Sequence, residues 1–94
     1  MISRISNTRK CYVCGATTNL HKHHIFEGRN KNNSEREGLW CYLCGFHHNQ
    51  SDFGVHFDKR LDKELKIMAE TKWCEEMGLT PDDFVKIFHR NYLE

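Results

Sequence analysis

Two short segments in the first half of the chain are rich in apolar and aromatic residues, and they predict β-strands. The first strand covers residues 19–26 and the second covers residues 39–43. Residues 27–38 between them are polar and contain three asparagines and two glycines, so they predict a loop. The two strands are therefore expected to form an antiparallel hairpin with a long loop at its tip.

The second half predicts helices. Residues 58–77 place apolar side chains at helical spacing from Leu61 to Ala69, and Gly78 stands where a helix ends. A further helix is expected after Thr80, its N-cap, with Pro81 in the first helical position. Asp83 can complete a capping box there. An apolar stripe on this last helix predicts a buried face, made of Phe84, Ile87, Phe88 and Tyr92.

The elements predict one small α+β domain over residues 1–94. Residues 1–10 are polar and basic and are expected to form a flexible arm. Residues 11–56 carry the cysteine and histidine motifs, and residues 57–94 form the helical C-terminal part. A core made from 94 residues is marginal unless something staples it.

The composition indicates the cellular compartment in which we expect this protein. No stretch approaches the ~20 apolar residues that a membrane span requires, and no signal peptide is visible. Five cysteines, an odd number, argue against a disulfide framework. We therefore expect a cytoplasmic, intracellular protein without membrane contact, with a metal ion as its staple.

The formal net charge is +1, but residues 1–36 carry seven basic against two acidic side chains. A basic front end suits a polyanion such as DNA. A solvated surface is the alternative, and charge alone favours it. The candidates for phosphate contact are Arg4, Arg9, Lys10, Arg29, Lys31 and Arg36.

Two similar segments, CYVCG at 11–15 and CYLCG at 41–45, have the form of metal-binding turns. Two ligands separated by two residues can both point inward from one turn, so Cys11 and Cys14 suit zinc. The second pair is ambiguous, because Cys41/Cys44 and Cys44/His47 have the same spacing. Buried free thiols are the alternative. Cys74 has no partner at ligand spacing and is expected to be a buried thiol.

Four of the seven histidines form two adjacent pairs, His23-His24 and His47-His48. Adjacent strand residues point to opposite faces, so one of His23 and His24 can bind a metal while the other does something else. Neutral imidazole is both a metal ligand and a general base. One ligand beside one base suits hydrolysis of a phosphodiester.

These motifs resemble the HNH endonucleases, also called ββα-metal nucleases, in particular small zinc-containing members from phages and bacteria. The matching segments are Cys-x-x-Cys at 11–14, Leu20-x-x-His23-His24-Ile25 and Leu43-Cys44-x-x-His47-His48. The resemblance implies a small ββα-metal domain with a structural zinc between two knuckles, followed by C-terminal helices.

Carried over by position, the resemblance makes His24 the general base and His23 and His48 ligands of a catalytic ion. His56 is a candidate third ligand. In this register Cys41 is a strand residue, and the structural zinc set is Cys11, Cys14, Cys44 and His47.

The chain departs from the family at the middle asparagine, which normally helps to hold the base. It usually lies about fifteen residues after the base, where this chain has Gly38 and Leu39. Asn30, Asn32 or Asn33 could substitute from the loop, and the spacing selects none of them.

The leading hypothesis is a metal-dependent endonuclease that hydrolyses DNA by a one-metal mechanism. The catalytic ion would be Mg²⁺, Mn²⁺, Ni²⁺ or Zn²⁺, and the partners would be DNA and phage or host DNA-processing proteins. Two alternatives are a non-catalytic, zinc-stabilised nucleic-acid-binding module and a zinc-stapled protein-interaction domain. Neither alternative needs two adjacent histidine pairs at these spacings.

Overall fold

The computed structural model describes residues 3–93 and shows a small α+β fold, as predicted. Two strands form one antiparallel sheet, and a short 3-10 turn over Gly28–Asn30 follows the first strand. The elements are β1 (Leu20–His24), α1 (Lys31–Arg36), β2 (Trp40–Cys44), α2 (Gly45–His48), α3 (Lys59–Met77) and α4 (Pro81–Phe88). No helix among residues 3–93 is long and apolar enough to cross a membrane.

The register of the hairpin decides which side chains share a face. His23 lies opposite Cys41, and His24 lies opposite Trp40. Directly opposed residues of an antiparallel pair point to the same side. His23 and Cys41 therefore belong to one face, on which both are buried. His24 and Trp40 belong to the other face, together with Lys22.

Helices α3 and α4 contribute to the buried core. The glycine that ends α3, Gly78, and the N-cap of α4 are those that the sequence predicts. Asp58 accepts hydrogen bonds from the first turn of α3, and Thr80 and Asp83 form the predicted capping box of α4. Phe84 and Phe88 are buried against the ring of Phe26, which follows β1. Of the predicted apolar stripe, Phe84 and Phe88 are confirmed as core, whereas Ile87 is half-buried and Tyr92 lies half-buried beyond the end of α4.

The segment 27–38 is more ordered than the predicted loop, because it contains the 3-10 turn and α1. Ser34 explains this order. Its buried hydroxyl donates to the carbonyl of Leu39 at 2.5 Å and accepts from the amide of Phe26 at 3.2 Å. One side chain thus satisfies the backbone at the ends of both strands, and a scan for apolar periodicity does not detect it.

The N-terminal segment also differs from the predicted flexible arm, of which Met1 and Ile2 lie outside the described residues. Ser3 donates to the carbonyl of Trp40, and the hydroxyl of Ser6 accepts from the amide of Tyr42. Arg4 donates its backbone amide to Gly38 and its side chain to the carbonyl of Glu37. Short polar side chains therefore anchor residues 3–6 along β2.

Candidate metal centres

Cys11, Cys14, Cys44 and His47 lie together, with one potential ligand atom from each within 4.8 Å of the others. Cys11 and Cys14 come from a turn that Gly15 closes with a φ of 78°, a value that favours glycine. Cys44 ends β2, and His47 lies on α2. The sequence left open whether Cys41 or His47 joins this group, and the structure brings in His47.

The spacing of these four residues, the Cys3His cluster, fits a zinc ion. The Sγ atoms of Cys14 and Cys44 are 3.7 Å apart. His47 Nδ1 is 3.3 Å from Cys44 Sγ and 3.8 Å from Cys11 Sγ. A tetrahedron with ordinary Zn–S and Zn–N bonds has edges of about 3.8 Å between sulfurs and about 3.6 Å between sulfur and nitrogen. The cluster can therefore hold a metal ion such as zinc.

Two of the three buried thiols, Cys11 and Cys41, differ in how their surroundings shift the thiol pKa. Burial opposes ionisation of Cys11, but backbone hydrogen bonds from Cys44, Cys14 and Val13 outweigh it and lower its pKa to about 6. Burial raises the pKa of Cys41 to about 12. Metal ligation requires thiolate, so its setting suits Cys11 as a ligand. Cys41 lies outside the group of four and is buried, as a packing residue is.

A second group, the histidine cluster, contains His23, His48 and His56, again with potential ligand atoms within 4.8 Å of one another. The Nε2 atoms of His48 and His56 are 3.0 Å apart. His56 is brought in by its backbone, because its amide donates to the carbonyl of His48 at 3.2 Å. Gly54 permits this approach, since a Cβ there would lie 2.6 Å from the same carbonyl oxygen.

His23 is the most informative member of the histidine cluster. It is 1% exposed, and neither of its ring nitrogens has a hydrogen-bond partner among the described residues. Burial, with the neighbouring His48 and His56, lowers its pKa to about 3. Burial also lowers the pKa of His48 to about 4. Both rings are therefore neutral near pH 7, the form that binds a metal, and an ion would satisfy an otherwise costly buried polar group.

Two residues at the edge of the histidine cluster were not predicted as part of it. His21 Nδ1 is 2.8 Å from His48 Nδ1, which leaves Nε2 of His48 for an ion. Glu27 lies 3.9 Å from Nδ1 of His23 and 3.8 Å from Nδ1 of His56. The two-residue period of a strand places His21 on the same face as His23, and this was the available signal.

His24 lies away from the histidine cluster, on the opposite face of β1. Its Nε2 is 2.7 Å from a carboxylate oxygen of Glu35 in α1. The asparagines considered as its partner are engaged elsewhere, because Asn30 and Asn33 donate to carbonyls at the end of α4. Asn32 is exposed, and no hydrogen bond joins it to His24 within residues 3–93.

The basic residues of the N-terminal half differ in how free their side chains are to contact a phosphate. Arg29 and Lys31 are exposed and make no ion pair within the described part of the chain. Arg36 is also exposed, at 3.5 Å from Glu37 and 2.9 Å from Asn33. Arg4, by contrast, is held by its backbone contacts and an ion pair with Glu76, so it is a structural residue.

Neither protein-family models, nor curated proteins, nor solved structures give a match to this chain.

From the Cys3His cluster we predict that substitutions of Cys41 and Cys44 have different effects on zinc binding. Cys44→Ser should lose tightly bound zinc and leave the chain unfolded or insoluble, because zinc binding in such sites is folding free energy, about 10–16 kcal/mol in finger peptides. Cys41→Val should keep about one tightly bound zinc per chain, since it replaces a packing side chain. Atomic emission analysis after dialysis, with circular dichroism, measures both. Zinc loss in Cys41→Val together with retention in His47→Ala would contradict this ligand set.

Proposed function

We propose that this chain is a metal-dependent endonuclease of the HNH type, with a ββα-metal arrangement built on the β1–β2 hairpin and α2. The observation that carries the proposal is His23, a buried imidazole that faces His48 and His56 and has no hydrogen bond at either nitrogen within residues 3–93. The adjacent residue His24 is paired with a carboxylate, which suits a base. A binding module has no use for this combination.

The two clusters have the donor sets of two different kinds of metal centre. Three thiols and one imidazole complete a tetrahedron and leave no position for a substrate, which is typical of a structural zinc site. Three histidines leave coordination positions for water and a phosphate oxygen, which is typical of a catalytic site. Such a nitrogen-rich set suits Mn²⁺, Ni²⁺ or Zn²⁺ better than Mg²⁺.

In the proposed reaction His24 accepts a proton from water while the water oxygen bonds to phosphorus. The bond from phosphorus to the 3′ oxygen breaks, and solvent protonates the leaving oxygen, which gives the 5′-phosphate and 3′-hydroxyl ends that the family resemblance implies. A bound divalent ion supplies charge neutralisation at the phosphate and the leaving oxygen. His23, His48 and His56 would hold that ion, and the neutral rings of His23 and His48 need no deprotonation to do so.

The edge of β1 offers a route by which one phosphodiester can reach both faces. The sheet has two strands within residues 3–93, so β1 is paired with β2 on one side only. His23 and His24 point to opposite faces of β1, and His24 remains 15% exposed. A backbone that follows the open edge of β1 would pass close to both residues. We therefore place the scissile phosphate at this edge.

We propose DNA as the substrate, with the exposed Arg29 and Lys31 and the neighbouring Arg36 as phosphate contacts. Contacts of this kind position a duplex without reading its sequence. The thiolates of the structural zinc site also suit a reducing, intracellular compartment.

Substitution of adjacent histidines should produce different failures. His24→Ala removes proton transfer, so cleavage of plasmid DNA should slow by about 10²- to 10⁴-fold at an unchanged metal requirement. His23→Ala removes a ligand, so it should weaken binding of the second ion, and added metal should partly restore cleavage. Cleavage rates across a metal titration measure both effects.

His89→Ala is the matched control, because this exposed histidine lies beyond α4 and in neither cluster. It should cut as the wild type does. Cleavage by His24→Ala at the wild-type rate would place the base elsewhere. If the wild-type protein binds DNA but does not cut it with any divalent metal, the chain is a nucleic-acid-binding module and not a nuclease.

The basic residues should show their role in the salt dependence of DNA binding. In a His24→Ala background, Arg29→Ala with Lys31→Ala should reduce the slope of log affinity against log salt by roughly 0.9 for each phosphate that the protein no longer neutralises. Lys59→Ala with Lys63→Ala removes the same charge from the exposed side of α3 and should leave the slope nearly unchanged. If both double variants keep the slope of the His24→Ala parent, Arg29 and Lys31 contact solvent and not DNA.

A further inference from the structure

Glu35 is the nearest charged group to the ring of His24, and its carboxylate is shared. One of its oxygens, Oε1, lies 2.7 Å from His24 Nε2 and 2.7 Å from Lys22 Nζ. Lys22 in turn lies over the ring of Trp40, 4.3 Å from its centroid. Three side chains of one sheet face and one from α1 therefore form a connected group.

From this geometry we propose that Glu35 is the positioning residue of His24, with the role that an asparagine has in the resembled family. The inference rests on the proposed function, because it concerns the base of that reaction. Glu35 comes eleven residues after His24 in the chain, which is why a search near the usual asparagine position does not find it.

The chemistry of imidazole explains what Glu35 would do. A neutral histidine donates from one ring nitrogen and accepts at the other. Donation from Nε2 to Glu35 leaves Nδ1 as the acceptor for a proton from water. Rotation of the ring about its outer torsion is otherwise broad, so the hydrogen bond fixes where the accepting nitrogen lies. The carboxylate also stabilises the imidazolium that forms when the proton arrives.

Glu35 remains ionised for this purpose, because hydrogen bonds from Lys22 and His24 lower its pKa to about 2. It is not required to hold α1 in place, since two neighbours already do so. Ser34 links α1 to the ends of both strands, and Asn33 donates to the carbonyl of Ile87. This division makes it feasible to change Glu35 while the fold stays intact.

The test combines a spectroscopic and a kinetic measurement on the zinc-loaded protein. The imidazole N–H of His24 should give a downfield, exchange-protected proton resonance, identified by its absence in His24→Ala. Glu35→Ala should lose this resonance and reduce kcat for plasmid cleavage by about 10- to 100-fold, with KM and metal requirement unchanged. Glu35→Gln keeps an acceptor without the charge, so it should keep the resonance and lose less activity than Glu35→Ala.

Glu64→Ala is the control, because it removes an exposed carboxylate paired with Arg60 on α3 at 3.3 Å. It should change neither measurement. Persistence of the resonance in Glu35→Ala, or an unchanged kcat, would overturn the role of Glu35 and leave the nuclease proposal standing. If Glu35→Ala does not fold, a kcat in Glu35→Gln equal to that of the wild type overturns it. If the wild type does not cut DNA with any of the metals, the proposed function is wrong, and the role of Glu35 falls with it.

Discussion

The Cys3His cluster is the constraint on which the rest of the structure depends. It joins the turn at residues 11–14 to the point where β2 ends and α2 begins, two segments about thirty residues apart in the chain. The core of a 94-residue chain is small, so a metal at this junction would add substantially to what packing supplies. A metal that binds only the folded form adds its binding free energy to folding. A metal bound in the Cys3His cluster would therefore fix the position of α2.

The adjacency of His47 and His48 transmits this constraint to the second cluster. His47 belongs to the Cys3His cluster, and His48 follows it directly on the four-residue helix α2. The amides of Val55 and His56 then donate to the carbonyls of His47 and His48, which brings His56 into the histidine cluster. One turn thus orients potential metal ligands of both clusters. In the proposed nuclease the structural ion would preorganise the catalytic one, the purpose that supporting contacts serve in metal sites generally.

The sequence predicts the parts of the site that depend on local spacing. The two-residue interval pairs Cys11 with Cys14, and the strand period separates His23 from His24. The end of α3 follows from Gly78 and the start of α4 from Thr80. What it does not predict depends on contacts between distant segments. Ser34 and the N-terminal serines act through side-chain hydrogen bonds to backbone groups, and neither hydropathy nor motif spacing reveals such bonds. The role of Glu35 is not predicted for the same reason, because α1 is short and lies in a segment for which the sequence predicts a loop.

Anomalous diffraction from crystals grown with zinc and soaked in Mn²⁺ would test the central claim, two separate metal centres joined by one turn. We predict a zinc ion bonded to Cys11, Cys14, Cys44 and His47. We also predict a distinct metal ion bonded to ring nitrogens of His23, His48 and His56, with further positions filled by water. A zinc ion bonded to Cys41, or a histidine cluster that stays empty at high Mn²⁺ and Zn²⁺ concentrations, would contradict this claim.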